Sequence, residues 1–314
     1  MNTITIAPPD LYDQIDLETD CSQFSKWVTI FLQTYKKPFV DDNTYRFTYF
    51  FPTKRHLIPF FGQMDLNDIR PMHVQRFFSL NATLSQSELD KLHMILVATY
   101  RTAMDNGICK RSPMTYINYK SSRQKNVKHV YSDEQIKIVE NYSFTRFPEI
   151  VFFLETGIRR GELCGLDKAD IHLENKSFSV NRSIADVHGG GIKVMPPKWN
   201  SYRELPLSPL ALKLLDSCKN DSPYVFPNLY GERQSPIGLY RKLKRFMLKV
   251  EKDCHVPALT THELRHTYGT QLRRHEVDIQ SIQLAMGHKD INITASIYVH
   301  NELEVLRKAL NYSE

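Results

Sequence analysis

The 314-residue chain has few cysteines and no long apolar run, and each absence narrows the class of protein it can be. Its five cysteines are scattered, odd in number and without C-x-x-C spacing, which argues against both a disulfide framework and a cysteine zinc site. No stretch approaches the roughly 18 to 20 uninterrupted apolar residues that a membrane-spanning helix needs. The N-terminus, MNTITIAPPD, lacks the basic-then-apolar layout of a secretory signal. We therefore expect a cytoplasmic globular protein with no membrane partner.

The formal net charge of +6 hides an uneven distribution along the chain. Residues 1–20 hold five acidic side chains and no Lys or Arg, so we expect an acidic N-terminal tail. Another segment has six bases and no acid, namely Lys110, Arg111, Lys120, Arg123, Lys125 and Lys128. A second basic run, RKLKRFMLK, spans 241–249. Such runs are typical of a solvated face or of a contact with a polyanion, and charge alone does not choose between them.

Apolar spacing divides the chain into two predicted domains. Residues 21–111 carry apolar side chains at helical period, which predicts a small all-helical domain whose second helix is kinked or divided at Pro52 and Pro59. Residues 112–128 have no periodic apolar face and are predicted to form an extended basic linker. Residues 129–314 form a second, larger domain.

The second domain mixes helices with short strands. Residues 177–184, 191–195 and 203–207 alternate or are β-branched and are separated by turn residues, which predicts a small antiparallel sheet. Helical spacing surrounds them, and a last amphipathic helix is predicted from Glu302 to Leu310. The expected fold class is therefore mainly α with a small antiparallel β-sheet, in two domains.

The stretch HELRHTYGTQL contains a pattern that suggests a zinc hydrolase. His262, Glu263 and His266 spell H-E-x-x-H, in which two histidines bind zinc and the glutamate is the general base. The extended form of this pattern requires a third histidine, and Leu272 occupies that position. A tetrahedral site with an open position is then hard to assemble, although the pattern keeps a zinc hydrolase as a remote alternative.

The start of the same helix favours an anion instead. Thr260 and Glu263 have the spacing of a capping box, which gives the glutamate a structural role. His262 and Arg265 then fall in the first turn on one face, where backbone N–H groups and the positive helix end attract negative charge. We expect an anion site here and no metal.

Five motifs occur in order along the second domain: T-G-I-R-x-G-E-L, P-K-x-x-x-x-R-x-L-P-L, H-x-L-R-H-T-Y, M-G-H-K-D and I-Y-V-H. Their order and approximate spacing resemble the tyrosine recombinase (phage integrase) family. The resemblance covers about residues 130 to 300 motif by motif. It extends more loosely to 21–111, which is similar to the family's helical, SAM-like core-binding domain. It implies a C-terminal α+β catalytic domain.

The resemblance also implies a catalytic set. It assigns phosphate clamping to Arg159 and Arg265, a role that suits the planar, bidentate guanidinium. It makes Tyr298 the nucleophile that forms a 3′-phosphotyrosine, and His262 the histidine that takes the phenol proton. The remaining members are a general acid, a phosphate-binding histidine and a supporting acid, in that order Lys198, His288 and Glu162.

The residues leave two of these assignments with alternatives. Lys193 competes with Lys198, although the distance from Lys198 to the R-x-L-P-L strand resembles the family's spacing. Glu162 is as readily an ordinary helix acid. Tyr298 is one of 16 tyrosines, and only the flanking motifs single it out.

The family resemblance implies double-stranded DNA with a specific core site as the partner, and a homo-tetramer that exchanges strands through a Holliday junction without metal, ATP or other cofactor. It makes the basic residues between Lys110 and Lys128 DNA contacts, and it leaves room for accessory DNA-bending proteins. The acidic stretch of 20 residues before the core-binding domain is too short for an arm-site DNA-binding module, which adds weight to Xer-type resolution against mobile-element integration. Two rivals are a DNA-binding protein of this fold without catalysis and a type IB topoisomerase.

Overall fold

The computed structural model describes residues 21–124 and 129–287. The chain divides into two compact units, residues 1–126 and 127–314. The acidic tail, the predicted helix Glu302 to Leu310 and two candidate site residues, His288 and Tyr298, lie outside the described residues. In the described part, no helix is both long and apolar enough to cross a bilayer.

The regular elements of the first unit are helices in its described part, and they end at Asp105. Its α-helices are α1 (Phe24–Ile30), α2 (Asp42–Thr44), α3 (Ile58–Phe61), α4 (Pro71–Leu80) and α5 (Gln86–Asp105). Wider π-helical turns extend or join them at Phe31–Lys36, Tyr45–Phe50 and Thr53–Leu57.

The prolines of the second helical segment distort it without breaking it. Residues 42–61 are helical from end to end, with a π-helical segment before Pro52 and another before Pro59. Proline lacks the N–H for an i→i−4 bond and crowds the carbonyl four residues back, which the wider turn accommodates. The two prolines thus widen the helix locally, where the sequence predicted that they would kink or divide it.

Aromatic side chains fill the core of the first unit. Phe24, Phe61 and Phe77 are fully buried, and their rings lie 5.1 to 5.4 Å apart between centroids. The buried indole N–H of Trp27 donates to the carbonyl of Thr99 on α5 at 3.0 Å. Contacts of this kind stabilise aromatic cores beyond their area alone, and they fix α1 against α3, α4 and α5.

The segment expected to be a linker lies in part on the first unit, which corrects that prediction. Asn118 and Gln75 exchange hydrogen bonds of 2.7 and 3.1 Å between side-chain amide and backbone. The Tyr119 ring stacks on Phe78, with centroids 4.6 Å apart. The N–H of Ser122 donates to the carbonyl of Ala82 at 2.8 Å. We call residues 110–124 the basic strap, since its described part is docked and not a loose connection.

The second unit contains seven α-helices and five short strands among its described residues. The helices are α6 (Asp133–Ser143), α7 (Pro148–Thr156), α8 (Arg160–Cys164), α9 (Pro209–Ser217), α10 (Pro236–Cys254), α11 (Thr261–Arg274) and α12 (Ile279–Met286). The strands are β1 (Ile171–His172), β2 (Ser177–Val180), β3 (Ser183–Asp186), β4 (Ile192–Met195) and β5 (Arg203–Pro206).

The strands form two small antiparallel sheets where the sequence predicted one. The first sheet has the order β1-β2-β5, with Val180 opposite Arg203, and the second pairs β3 with β4. The predicted strand 177–184 is therefore split between the sheets at Asn181–Arg182. A 3₁₀ turn, Lys198–Asn200, joins β4 to β5 and carries one of the candidate site residues.

A buried helix at the centre of the second unit positions the site. Five consecutive residues of α7, from Ile150 to Leu154, have no exposed surface, as expected for a helix that is apolar all round. Helix α11 packs along α7. Gly157 ends α7 in the left-handed conformation at φ 60°, which turns the chain sharply into α8. The sequence predicts a helix over residues 149–166 that is interrupted at Gly157, and this interruption is confirmed.

Candidate active site

Helix α11 begins with the capping box expected from its sequence. The Thr260 hydroxyl oxygen accepts from the Glu263 N–H at 3.3 Å, and the Glu263 carboxylate accepts from the Thr260 N–H at 2.9 Å. The glutamate of the H-E-x-x-H pattern is thereby engaged in its own helix. Within residues 21–124 and 129–287, no three His, Cys, Asp or Glu side chains are grouped to hold a metal ion. These contacts favour the anion interpretation over the zinc one.

Arg265 is buried one turn into α11, with 3% of its surface exposed. Its Nη1 donates to the carbonyl of Gly157 at 2.5 Å, and its Nη2 donates to the carbonyl of Met286. The first contact requires the close approach of α11 to Gly157. A side chain there is excluded, because an added Cβ would lie 2.2 Å from the Tyr268 ring. Arg265 therefore ties the α7 end to the α12 end.

Arg159 caps α8 and extends toward the same place. Its backbone N–H and its Nη1 donate to the two oxygens of Glu162 at 3.0 and 2.8 Å. Its Nη2 donates to the carbonyl of Gly287 at 2.6 Å. About a quarter of the Arg159 side chain, 23%, is exposed, so its guanidinium borders solvent at the edge of a buried network.

Glu162 connects Arg159 to a third arginine, Arg203. Its carboxylate is fully buried, and it accepts from Arg203 Nη2 at 2.7 Å and from Arg203 Nη1 at 3.2 Å. Burial alone would raise the pKa of Glu162, but the hydrogen bond and charge of Arg203, followed by the charge of Arg159, lower it to about 2. Glu162 is thus ionised at neutral pH. These contacts favour the predicted role of Glu162, an acid that supports the catalytic residues, over that of an ordinary helix acid.

Three guanidiniums therefore meet the last carbonyls of α12. Arg203 Nε donates to Ala285 at 3.1 Å, next to the acceptors of Arg265 and Arg159. The carboxyl end of a helix carries partial negative charge, which these cations complement. We call Arg159, Arg203 and Arg265 the arginine cluster. With Glu162 its formal charge is 3 − 1 = +2, which suits a phosphate diester.

The turn that carries Lys198 lies beside the cluster. The Ser201 hydroxyl donates to the Lys198 carbonyl at 2.9 Å and accepts from Arg159 Nη1 at 3.5 Å. Lys198 is exposed, with its Nζ 5.4 Å from the centroid of the Trp199 ring. Its competitor Lys193 lies within β4, opposite Ala185 on β3. The link through Ser201 favours Lys198.

A cavity of about 290 Å³ opens next to this turn, and it is large enough to admit a phosphate group. Its walls come from the β4–β5 turn and from α12, and they include Trp199, Tyr202, Arg203, Gln283, Leu284 and Gly287. Arg203 is the member of the arginine cluster that lines this cavity.

His262 is exposed in the first turn of α11, three residues before Arg265. Its ring contacts that of His266 edge to face, with centroids 4.5 Å apart. His288 and Tyr298 lie outside the described residues, but Gly287, which directly precedes His288, contacts Arg159. Of the predicted catalytic set, the structure thus brings together Arg159, Glu162, Arg265 and the Lys198 turn.

Arg203 was not among the predicted site residues. It is the arginine of the P-K-x-x-x-x-R-x-L-P-L motif, but the motif alone does not indicate a role for it. Burial alternates along β5, with Arg203 and Leu205 pointing inward and Glu204 and Pro206 outward. This alternation is the feature that identifies Arg203 as a candidate site residue. A charged residue at an inward strand position requires a buried partner, and Glu162 supplies it.

The predicted DNA-binding bases of the basic strap belong to the first unit. Lys110, Arg111, Lys120 and Arg123 are exposed there, while Lys125 and Lys128 lie outside the described residues. The docked residues Ile117 and Tyr119 alternate with exposed ones, so the strap presents its bases outward from a fixed backbone.

Comparisons with known proteins decide the family. The model of the phage integrase family matches residues 123–304, more than half of the chain, and the model of its N-terminal SAM-like domain matches residues 23–79. The chain belongs to the phage integrase family. As a tyrosine recombinase it is an enzyme that breaks and rejoins DNA.

Curated relatives include a Xer-type recombinase and an integrase. A XerC-like tyrosine recombinase of Caldanaerobacter subterraneus is 26% identical over 76% of this chain and 68% of its own length. The ICEBs1 integrase of Bacillus subtilis is 23% identical over 78% of this chain and 71% of its own.

Solved structures of integrases share the recombinase fold. The Tn1549 transposon integrase in complex with transposon right end DNA has a TM-score of 0.77 at 19% identity, covering 92% of this chain and 99% of its own. A lambda integrase dimer bound to a core site has a TM-score of 0.66 at 15% identity, covering 88% of this chain and 95% of its own.

Proposed function

We propose that this chain is a site-specific recombinase that cleaves double-stranded DNA with Tyr298 as the nucleophile. The phenol oxygen attacks the scissile phosphorus, the bond from phosphorus to the 5′ oxygen breaks, and a 3′-phosphotyrosine and a 5′-hydroxyl result. The new ester conserves the energy of the broken one, so a 5′-hydroxyl from another strand can reverse the step without ATP or metal.

The observation that carries this proposal is the convergence of Arg159 and Arg265 on adjacent carbonyls of α12. A phosphodiester under attack gains charge on its non-bridging oxygens, and fixed guanidiniums in a site of limited water access stabilise that charge without reorganising. His288 follows the acceptor carbonyl of Gly287 in the chain, and we assign it a hydrogen bond to the same phosphate.

Two proton transfers complete the step. The phenol of tyrosine has an ordinary pKa of about 10 and therefore needs a base, a role we assign to His262 in the first turn of α11. The departing 5′ oxygen needs a proton, which we assign to Lys198 on the turn that Ser201 links to Arg159.

We further propose a homo-tetramer on paired core sites that exchanges strands through a Holliday junction. The basic strap contributes exposed cations to DNA binding, whose affinity falls with salt as phosphate contacts are lost. Integration or excision of a mobile element is the role we favour, supported by the likeness to the Tn1549 transposon and lambda integrases. Xer-type resolution is the second candidate, supported by the XerC-like relative.

The chemistry is tested by trapping the covalent intermediate. The purified full chain first selects binding sites from a pool of random-sequence duplexes, and the selected site is then placed in a duplex nicked just past the cleaved bond. The nicked fragment diffuses away, so cleaved DNA accumulates on the protein. We expect a denaturation-resistant adduct, with the DNA mapped to Tyr298 by mass spectrometry.

Tyr298→Phe should abolish this adduct while retaining DNA binding. Tyr230→Phe is the control, because Tyr230 is 86% exposed and lies on a surface turn. An adduct formed by Tyr298→Phe would refute the assignment of the nucleophile. Binding without an adduct in every chain would instead support a DNA-binding protein without catalysis.

Plasmid substrates separate the two biological roles and the topoisomerase rival. Recombination between two different sites on separate molecules supports integration, whereas recombination confined to two like sites on one plasmid supports resolution. Relaxation of any supercoiled plasmid, regardless of sequence, would point to a topoisomerase.

A further inference from the structure

The buried side chain of Arg203 makes polar contacts well beyond its own strand. Only 2% of its side chain is exposed. Its guanidinium contacts three segments: the Glu162 carboxylate on α8, the Ser201 carbonyl after the Lys198 turn at 3.2 Å, and the Ala285 carbonyl in α12 at 3.1 Å. A planar fork of five N–H donors can serve these directions at once.

We propose that Arg203 is a positioning residue of the cleavage step, which holds α8, the Lys198 turn and the end of α12 in one arrangement. Arg159 and Glu162 lie on α8, and Lys198 lies on the turn. The inference rests on the proposed function, and it adds to that function a residue that acts through its neighbours and does not itself contact the phosphate.

The shared carboxylate explains how Arg203 acts on Arg159. Each Glu162 oxygen accepts from both arginines, through the Arg159 backbone or side chain and one Nη of Arg203. Removal of Arg203 leaves a buried carboxylate with Arg159 as its remaining charged partner. Without the two contacts from Arg203 that fix the carboxylate, Glu162 no longer holds Arg159 in one position, which costs the chemical step its alignment.

The packing around Gly287 supports the same conclusion. A Cβ added at Gly287 would lie 3.0 Å from Arg159 Nη1 and 3.1 Å from Arg203 Nη1. The two guanidiniums therefore flank the residue that leads into His288. They leave little space for a side chain at Gly287.

A merely structural Arg203 would behave differently. Loss of such a residue lowers the fraction of folded protein and leaves the rate constant of the folded molecules unchanged. Arg182 is the matched control, because it is a part-buried arginine of the same unit that binds Asp167 at 2.5 Å and Asp170 at 2.6 Å. Neither carboxylate has a contact with the arginine cluster among the described residues.

The experiment measures single-turnover adduct formation on the nicked duplex that carries the selected site, with DNA affinity and thermal unfolding measured in parallel. We expect Arg203→Met to slow adduct formation by about 100-fold, the scale expected when catalytic groups are misaligned, with little change in affinity. Arg203→Lys should be intermediate, since an ammonium keeps the charge without the fork. Arg182→Met should lower the unfolding temperature and keep the rate.

The pH profile gives a second readout. The charged groups that face Glu162 are Arg203 from β5 and Arg159 from its own helix. Without Arg203 the pKa of Glu162 rises, so Glu162 becomes protonated as the pH falls and releases Arg159. Adduct formation by Arg203→Met should therefore decline toward acidic pH more steeply than that of the wild type. Adding Glu162→Gln to Arg203→Met should remove this extra decline.

Several outcomes would overturn the proposal. If the wild type reacts and Arg203→Met reacts equally fast per folded molecule, with the wild-type pH profile, Arg203 is structural and the proposed function stands. Should Arg203→Met not fold, Arg203→Lys decides by the same rate and profile. If the wild type forms no adduct, the proposed function fails and this inference fails with it.

Discussion

The two units carry their positive charge in opposite ways. In the second unit, the arginine cluster is buried or half-buried, and each guanidinium is fixed by carbonyls or by Glu162. In the first unit, the basic strap exposes Arg111, Lys120 and Arg123 from a docked backbone. Fixed, desolvated cations act strongly on charge that develops during a reaction, whereas exposed ones act through a screened attraction. We therefore expect the cluster to govern the cleavage rate and the strap to govern affinity.

The largest effect should follow from Arg265→Ala, which removes a cluster member. Adduct formation should fall by about 100- to 1000-fold, because a preorganised donor to the phosphate is lost. DNA affinity should change little. Single-turnover assays on the nicked duplex measure the rate, with Arg274→Ala as the control at the other end of α11. If Arg265→Ala cleaved DNA at the wild-type rate, the arginine cluster would not govern the cleavage rate, and the proposed difference between the two units would be wrong.

A smaller effect should follow from Gly287→Ala, which disturbs the cluster without removing a charge. The added Cβ presses on Arg159 and Arg203, and φ of 58° is unfavourable for alanine by about 1 kcal/mol. We expect cleavage slowed by about tenfold, at the scale of a small misalignment of reacting groups. Gly107→Ala has similar backbone strain, at φ 69°, but open space around its Cβ. It should lower stability and leave the cleavage rate unchanged; equal rates for the two variants would contradict the mechanism.

Substitutions in the basic strap should have the opposite effect, in which DNA affinity falls and the cleavage rate stays unchanged. Lys120→Gln combined with Arg123→Gln should weaken DNA binding and reduce the slope of log affinity against log salt by about 1.8, for two lost phosphate contacts. Cleavage of bound DNA should continue at the wild-type rate. Fluorescence anisotropy at several salt concentrations measures the slope. Lys219→Gln, which removes an exposed lysine paired with Asp216, is the control. An unchanged slope in the double variant would exclude the strap from the DNA interface.

The smallest effect concerns Glu140, a buried carboxyl whose pKa is raised by burial more than it is lowered by the charge of Lys137. Burial, followed by a hydrogen bond to Glu155, raises the pKa of Glu140 to about 8. The folded state therefore holds a proton that the unfolded state releases above about pH 4.5, so stability declines as the pH rises from there toward 8. Glu140→Gln should flatten this decline and add about 1 kcal/mol at pH 8.

Urea unfolding at pH 5 and pH 8 tests this effect, with Glu134→Gln on the exposed face of α6 as the control. A decline equally steep in Glu140→Gln and the wild type would show that Glu140 is not the titrating group. Glu162 provides the contrast, since its low pKa makes its contribution disappear only as the pH falls toward 2.

Local features of the fold could be predicted from the sequence. The capping box of Thr260 and Glu263 and the break at Gly157 depend on residues that are close in the chain. The spacing of those residues is therefore enough to predict both features. The pairing of Arg203 with Glu162 spans 41 residues, and no local pattern encodes it. The docking of the strap depends on the stack of Tyr119 on Phe78 and on hydrogen bonds of Asn118 and Ser122 with the first unit, in a segment without apolar periodicity.

The central claim is that Arg159 and Arg265 of the arginine cluster stabilise negative charge on the scissile phosphate. The most direct test replaces a non-bridging oxygen at the cleaved position with a methyl group, which makes that phosphate neutral. On this methylphosphonate duplex Arg265→Ala should recover most of the cleavage it loses on ordinary DNA, because the charge it no longer balances is absent. If Arg265→Ala is equally impaired on both duplexes while the wild type cleaves both, Arg265 does not act on the phosphate charge and the account is wrong.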